Sequence, residues 1–300
     1  MNIAERFDAA FLYRLARLRL HSARLFDGRI PGERRSPRYG ASLEFVDVRP
    51  YVPGDDTRYV DWNVYRRLDR IVVKRFREHR DLCLHLLVDT SASMGAGTPS
   101  KLDHGLRTGA VLACVALANH ERVSVGLLAD DVQRDRRMTP RRGHRRMAPL
   151  LDRLGAIRAG GRTRLGDTLT EHARSSLAPG VAVIISDLIE PVTRIEAGLR
   201  ALLARGLDAR VVHVLANDEI SPDINGDVEL LDVEEPSPAT AKRLTAERAT
   251  HWRYGQNLTR FLDERVALCR RLQVPYVRLA GTGTPDVQLL QQLRSAGFLA

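Results

Sequence analysis

Cysteine is scarce. Cys83, Cys114 and Cys269 are the only three in 300 residues, far apart and with no CxxC pair. That excludes a disulfide framework and a zinc-finger spacing. Cys83 and Cys114 sit inside apolar segments, so buried thiols are expected. An odd, unpatterned count suits a reducing compartment, and the chain reads as cytoplasmic. Aromatic residues make up only 5% of the chain, too few for an obvious base-stacking platform. Long apolar runs are missing as well. The longest, "AVLACVALA" from Ala110 to Ala118, falls short of the roughly 20 residues a membrane-spanning helix needs, so no membrane span is expected. The opening "MNIAERFDAAFLYRLARLRL" has acids and arginines where a secretory leader would be apolar, and no small-residue cleavage site follows.

Charge and apolar content are abundant. The chain carries 47 Lys and Arg against 37 Asp and Glu, a net charge of +10, and is 44% hydrophobic. That apolar content can bury a core in one large domain or two smaller ones. Much of the basic excess lies in residues 1–80 and in "RDRRMTPRRGHRRM", Arg134 to Met147. No zinc finger, RNA-recognition signature or heptad-linked basic region accompanies it. The composition therefore points away from nucleic acid, toward a solvated basic face or a docking surface for an acidic partner.

Periodicity divides the chain into three. Phe7, Phe11, Leu15 and Leu18 recur at helical spacing among Arg14, Arg17 and Arg24, which predicts an amphipathic helix within residues 1–28. "FDGRIPGERRSPRYGAS" is a loop by composition. The rest of residues 29–80 alternates in short runs around a "PGDD" turn, as a small strand-rich extension does. From residue 81 to 300 apolar strands alternate with amphipathic helices. Strands are expected near 82–88, 122–129, 181–186, 209–215 and 274–279, and the stretch 238–272 reads as largely helical. This pattern predicts an α/β domain with a mostly parallel central sheet and helices on both faces.

In such sheets ligands bind beyond the carboxyl ends of the strands, at a topological switch point. Two strand ends qualify. "LLVDTSAS" delivers Asp89, Ser91 and Ser93, and "IISDL" delivers Ser186 and Asp187. Between them "AGGRTRLGDTL" presents Thr163 from a Gly-rich loop just before a helix, with Thr168 a weaker alternative one turn on. The set Asp89, Ser91, Ser93, Thr163 and Asp187 is all oxygen, without His or Cys. It suits Mg²⁺ or Mn²⁺ rather than zinc. Neutral hydroxyls leave such an ion undercompensated and able to accept a carboxylate from outside. The site is expected to face solvent, so Ala at Asp89 or Ser91 is expected to abolish ion binding and leave the fold intact.

Other chemistries fit less well. "GAGTPSK" has glycines and Lys101 but not the P-loop pattern. A phosphoryl-accepting aspartate pair wants a second acid where Ser91 stands, and GxSxG is absent from that loop. The remaining alternatives are a metal-dependent phosphate-ester hydrolase and nucleic-acid binding through the Arg-rich surface. A hydrolase needs a base, yet His85 lies inside a strand and His104 in the next helix.

"LLVDTSASM" resembles the DxSxS signature of von Willebrand factor A-like domains and their metal-ion-dependent adhesion site. The resemblance implies a Rossmann-like fold in which Ser91, Ser93 and Thr163 ligate the ion. Asp89 and Asp187 act largely through water, and a partner's Asp or Glu takes the sixth position. In that family a glycine usually stands directly before the threonine; here Arg162 intervenes.

The segment before the sheet, "EFVDVRPYVPGDDTRYVDWNVYRRLDRIVVKRF", resembles the signature of the prokaryotic domain of unknown function 58 family. Members commonly accompany MoxR-type AAA+ ATPases, which implies such a partner and a non-enzymatic, metal-dependent protein-binding role. Within the segment, Arg49, Arg58 and Asp61 are expected to form an ion-pair network with Asp55 and Asp56, with Tyr51 and Trp62 as large anchors.

Overall fold

The computed structural model describes residues 9–21, 42–79, 82–129, 137–175, 178–223, 226–230, 232–234, 242–246, 248–280 and 286–300. The chain divides into two compact units, one of residues 1–28 with 82–300 and one of residues 29–81. In order its elements are α1 (Ala9–Leu15), β1 (Ser42–Pro50), α2 (Trp62–Leu68), β2 (Val72–His79), β3 (Cys83–Val88), α3 (Lys101–Ala118), β4 (Arg122–Leu127), β5 (Arg137–Arg142), α4 (Met147–Ala156) and α5 (Leu165–Arg174). They continue with β6 (Gly180–Ser186), α6 (Val192–Ala204), β7 (Asp208–Leu215), α7 (Asn217–Ile220), β8 (Gly226–Leu230), β9 (Lys242–Ala246), α8 (Arg248–Arg271), β10 (Tyr276–Ala280) and α9 (Asp286–Ser295).

The larger unit is built on a six-stranded sheet in the order β10-β7-β6-β3-β4-β5. Every neighbouring pair is parallel except β4 with β5. β3 and β6 are buried along their whole length, as central strands covered on both faces must be. Their apolar side chains serve two cores. Phe11 and Leu15 of α1 share one with α3, Leu150 and Leu154 of α4, and Leu289 and Leu293 of α9. Leu165 and Leu169 of α5, Ile195 and Leu199 of α6, and Leu268 of α8 share the other. This is an α/β architecture, a mostly parallel sheet covered by helices on both faces.

Two contacts set the helices close to their neighbours. At Gly105 of α3 a Cβ would lie 2.8 Å from Cγ2 of Ile185 on β6. At Gly166 of α5 a Cβ would lie 2.4 Å from the carbonyl oxygen of Arg194 on α6, so only glycine fits there. All three cysteines are free and buried.

β5, inside the arginine-rich stretch, is a strand that its composition hid. It forms the antiparallel edge of the sheet, where exposed basic side chains are tolerated and discourage further pairing. The helical expectation for 238–272 is corrected at its start. Lys242–Ala246 pairs with β8 as a two-stranded ladder before α8 begins. Among the described residues no helix is long and apolar enough to cross a membrane. Phe7, Arg24 and nearly all of the "FDGRIPGERRSPRYGAS" loop lie outside the described residues.

In the smaller unit β1 and β2 form an antiparallel ladder with an irregularity between Phe45 and Asp47. Asp55 closes the "PGDD" turn by accepting from the Val52 amide (2.9 Å) and pairing with Arg49 (2.6 Å). Asp56 pairs with Arg58 at 2.8 Å. Asp61 does not join that network. It caps α2 through the Asn63 and Val64 amides and pairs with Lys74 at 3.2 Å. α2, whose register was not anticipated, has no buried residue.

Candidate metal centre

The chain leaves β3, turns to β4 on one side, and returns through β6 on the other. The switch point therefore lies between β3 and β6, where Val88 pairs with Ile185. Asp89 and Asp187 follow those strands at the same end of the sheet. Both are fully buried, which corrects the expectation of a solvent-facing site.

Asp89 is held by the backbone and by β6. Its amide donates to the Ile185 carbonyl (2.8 Å). One carboxylate oxygen accepts from the Ser91 amide (3.0 Å), and the other accepts from the Ser186 hydroxyl (2.7 Å). A single turn of 3₁₀ helix, Ala92–Gly95, follows Ser91. Ser91 and Ser93 place their hydroxyl oxygens 3.1 Å apart. Ser93 Oγ donates to Asp187 Oδ2 at 2.8 Å. Four of the five expected site residues thus meet in one hydrogen-bonded set.

Thr163 belongs to the loop before α5. That loop is stitched to the Asp89 loop by two backbone bonds, Gly160 N to Thr90 O (2.7 Å) and Ala92 N to Gly161 O (3.0 Å). Gly161, at φ +80°, makes the left-handed turn the loop requires. Thr163 itself is bonded elsewhere. Its amide donates to Glu234 Oε2 at 3.0 Å and its hydroxyl donates to Glu234 Oε1. Thr168 spends its hydroxyl on the Arg164 carbonyl within α5 (2.8 Å).

Two like charges share this buried end of the sheet. Burial, followed by the charge of Asp187, pushes the Asp89 carboxyl up to about 7. Asp187 has a cation of its own that the sequence reading missed. Lys101, first residue of α3 and buried, places Nζ 2.7 Å from Asp187 Oδ2 and 2.5 Å from Glu219 Oε1. Burial pulls the ammonium down, but Asp187 and Glu219 more than offset it, and Lys101 stays above its ordinary value. One signal was available, because a lysine in the first turn opposes the helix dipole and implies a nearby acid. Glu219 and Glu234 carried no local signal. His85 is engaged within the sheet by Ser124 Oγ and the Ala178 carbonyl, each at 2.8 Å.

The donor set fits a small divalent cation. Oxygens in neighbouring positions around an octahedral ion with bonds of about 2.0–2.1 Å lie about 3.0 Å apart. The Ser91–Ser93 oxygen separation of 3.1 Å matches that spacing, and the Ser93–Asp187 hydrogen bond of 2.8 Å sets a carboxylate behind the pair. Among the described residues no group of three or more His, Cys, Asp or Glu side chains forms a metal cluster. The candidate rests on hydroxyls as much as on carboxylates.

The family model described as "Protein of unknown function DUF58" matches residues 47–260. An uncharacterised protein of Mycobacterium tuberculosis, Rv1480, is 30% identical over 224 residues, covering 73% of this chain and 70% of its own length. Among solved structures, BatB from Bacteroides thetaiotaomicron aligns with a TM-score of 0.40 at 13% identity, covering 72% of this chain and 98% of BatB. The SpRpn10 VWA domain aligns with a TM-score of 0.32 at 12% identity, over 45% of this chain and 76% of that domain.

Proposed function

Because this chain belongs to the DUF58 family and gathers an oxygen-only ligand set at its sheet switch point, we propose that it is a non-enzymatic, divalent-metal-dependent protein-binding module. The observation that carries this reading is the Ser91–Ser93 hydroxyl pair at octahedral spacing, with Asp187 hydrogen-bonded to Ser93 behind it. Ser91, Ser93 and Thr163 would hold Mg²⁺ or Mn²⁺ directly, with Asp89 and Asp187 acting through water. The ion, when bound, supplies a positive centre for a carboxylate oxygen. The chain's own groups do the rest. Ser186 and the Ser91 amide fix Asp89, and the Ile189 amide, 3.3 Å from Asp187 Oδ1, helps to orient Asp187.

The partner would present an Asp or Glu side chain. Exposed Arg162 and Arg164 flank Thr163, and a basic rim of this kind speeds encounter with an acidic surface. By resemblance the partner is a MoxR-type AAA+ ATPase. A pull-down of that ATPase with Mg²⁺, with EDTA and with Asp89→Asn tests the reading. Recovery is expected only with Mg²⁺ and the native chain. Equal recovery in all three would remove the metal centre as the docking point and make the "PGDD" extension the better candidate.

A further inference from the structure

Glu234 comes to Thr163 from 71 residues away in sequence and meets it at two points, the amide nitrogen at 3.0 Å and the hydroxyl. Two parallel donors on one ionised carboxylate form a charge-assisted, directional contact stronger than a neutral pair. Glu234 is itself set by a local turn, its amide donating to Asp232 Oδ1 at 2.9 Å. It lies in the connection between β8 and β9, outside the six-stranded sheet. Arg162 and Arg164, both exposed, flank Thr163 in sequence.

We propose that Thr163 is a carboxylate-binding point whose resident occupant is Glu234, so that the chain carries its own competitor for an acidic partner. The functional meaning of this inference rests on the metal-dependent binding role proposed above; the contact itself does not. The same Thr163 hydroxyl that Glu234 engages is the one nominated to face the ion. A partner's acid that approaches this point meets the Glu234 carboxylate already there. A tethered competitor acts at an effective concentration on the order of mM. If Glu234 fills the point in nine-tenths of molecules, the apparent affinity for an external carboxylate falls about tenfold. Glu234 then sets a threshold for an acidic partner.

Acetate is a sufficient probe. The Thr163 amide resonance of the full-length ¹⁵N-labelled protein is followed during titration with sodium acetate, against sodium chloride at equal ionic strength. In Glu234→Ala, acetate is expected to move this resonance saturably, with an apparent affinity at least tenfold higher than in the native chain. Glu234→Gln, which keeps the shape and loses the charge, is expected to fall between them. An equal response in the native chain and Glu234→Ala, or none in either, overturns the inference. Mg²⁺ titration of the same samples, read at the Ser91 and Ser93 amides, separates the two ideas. Loss of the Mg²⁺ response with the acetate result intact defeats the metal reading and leaves the Glu234 competitor standing.

Discussion

Replacing Asp89 with alanine strands the Ser91 amide and the Ser186 hydroxyl in a site without solvent, and each orphaned buried donor costs about 1–3 kcal/mol. Asparagine is the cleaner probe, because it keeps an acceptor for the Ser91 amide and removes the charge. The sign of its pH effect follows from the raised carboxyl. Asp89 favours the folded state fully below its unfolded value near 3.8 and loses that contribution as pH rises through about 7. Without divalent ions, thermal melts are therefore expected to show Asp89→Asn gaining on the native protein between pH 4 and 7.5, by on the order of 2–4 kcal/mol. Added Mg²⁺ at pH 7.5 should reverse the order. His213, held down to about 4 by burial, is common to both proteins and cancels in the comparison. Lys101→Met is expected to act oppositely. It leaves Asp187 buried without its ammonium, a loss of about 3–5 kcal/mol in denaturant unfolding, partly recovered by Mg²⁺. Unchanged stability in Lys101→Met would mean the ammonium does not neutralise the site.

At the level of elements, α5 positions the Thr163 loop and is itself positioned by α6. Gly166→Ala places a methyl 2.4 Å from the Arg194 carbonyl, so the helices must separate. The expected cost is about 1–3 kcal/mol, a fall of several degrees in Tm. Gly160→Ala, with open space around its added methyl, serves as the control and is expected to be near neutral. Equal melting of the two variants would show that the α5–α6 contact does not hold the loop. The strands that build the switch point were legible because β3 and β6 are apolar runs, broken inside only by His85, that end on acids and hydroxyls. β5 was not, since three arginines and a proline in six residues read as a basic loop and only its partner β4 makes it a strand. Lys242–Ala246 likewise holds good helix formers, and its pairing with β8 overrides them. The site split the same way. Asp89, Ser91, Ser93 and Asp187 lie in local motifs, whereas Lys101, Glu219 and Glu234 reach it only through tertiary contacts.

At the scale of the molecule, a net charge of +10 sets how partners arrive more than how tightly they stay. Association with an acidic partner is expected to slow as salt rises, and Arg162→Glu to slow it further while flattening the salt dependence, as read in stopped-flow or surface-binding kinetics. An unchanged association rate would place the contact away from Thr163. The most direct test of the central claim is a calorimetric titration of Mn²⁺ into the native chain and Ser93→Ala, with circular dichroism checking that both are folded. The oxygen set from Ser91 through Ser93 to Asp187 predicts one ion per native chain and at least a tenfold loss of affinity in Ser93→Ala. The same stoichiometry and affinity in both proteins, or no binding by the native chain, would contradict it.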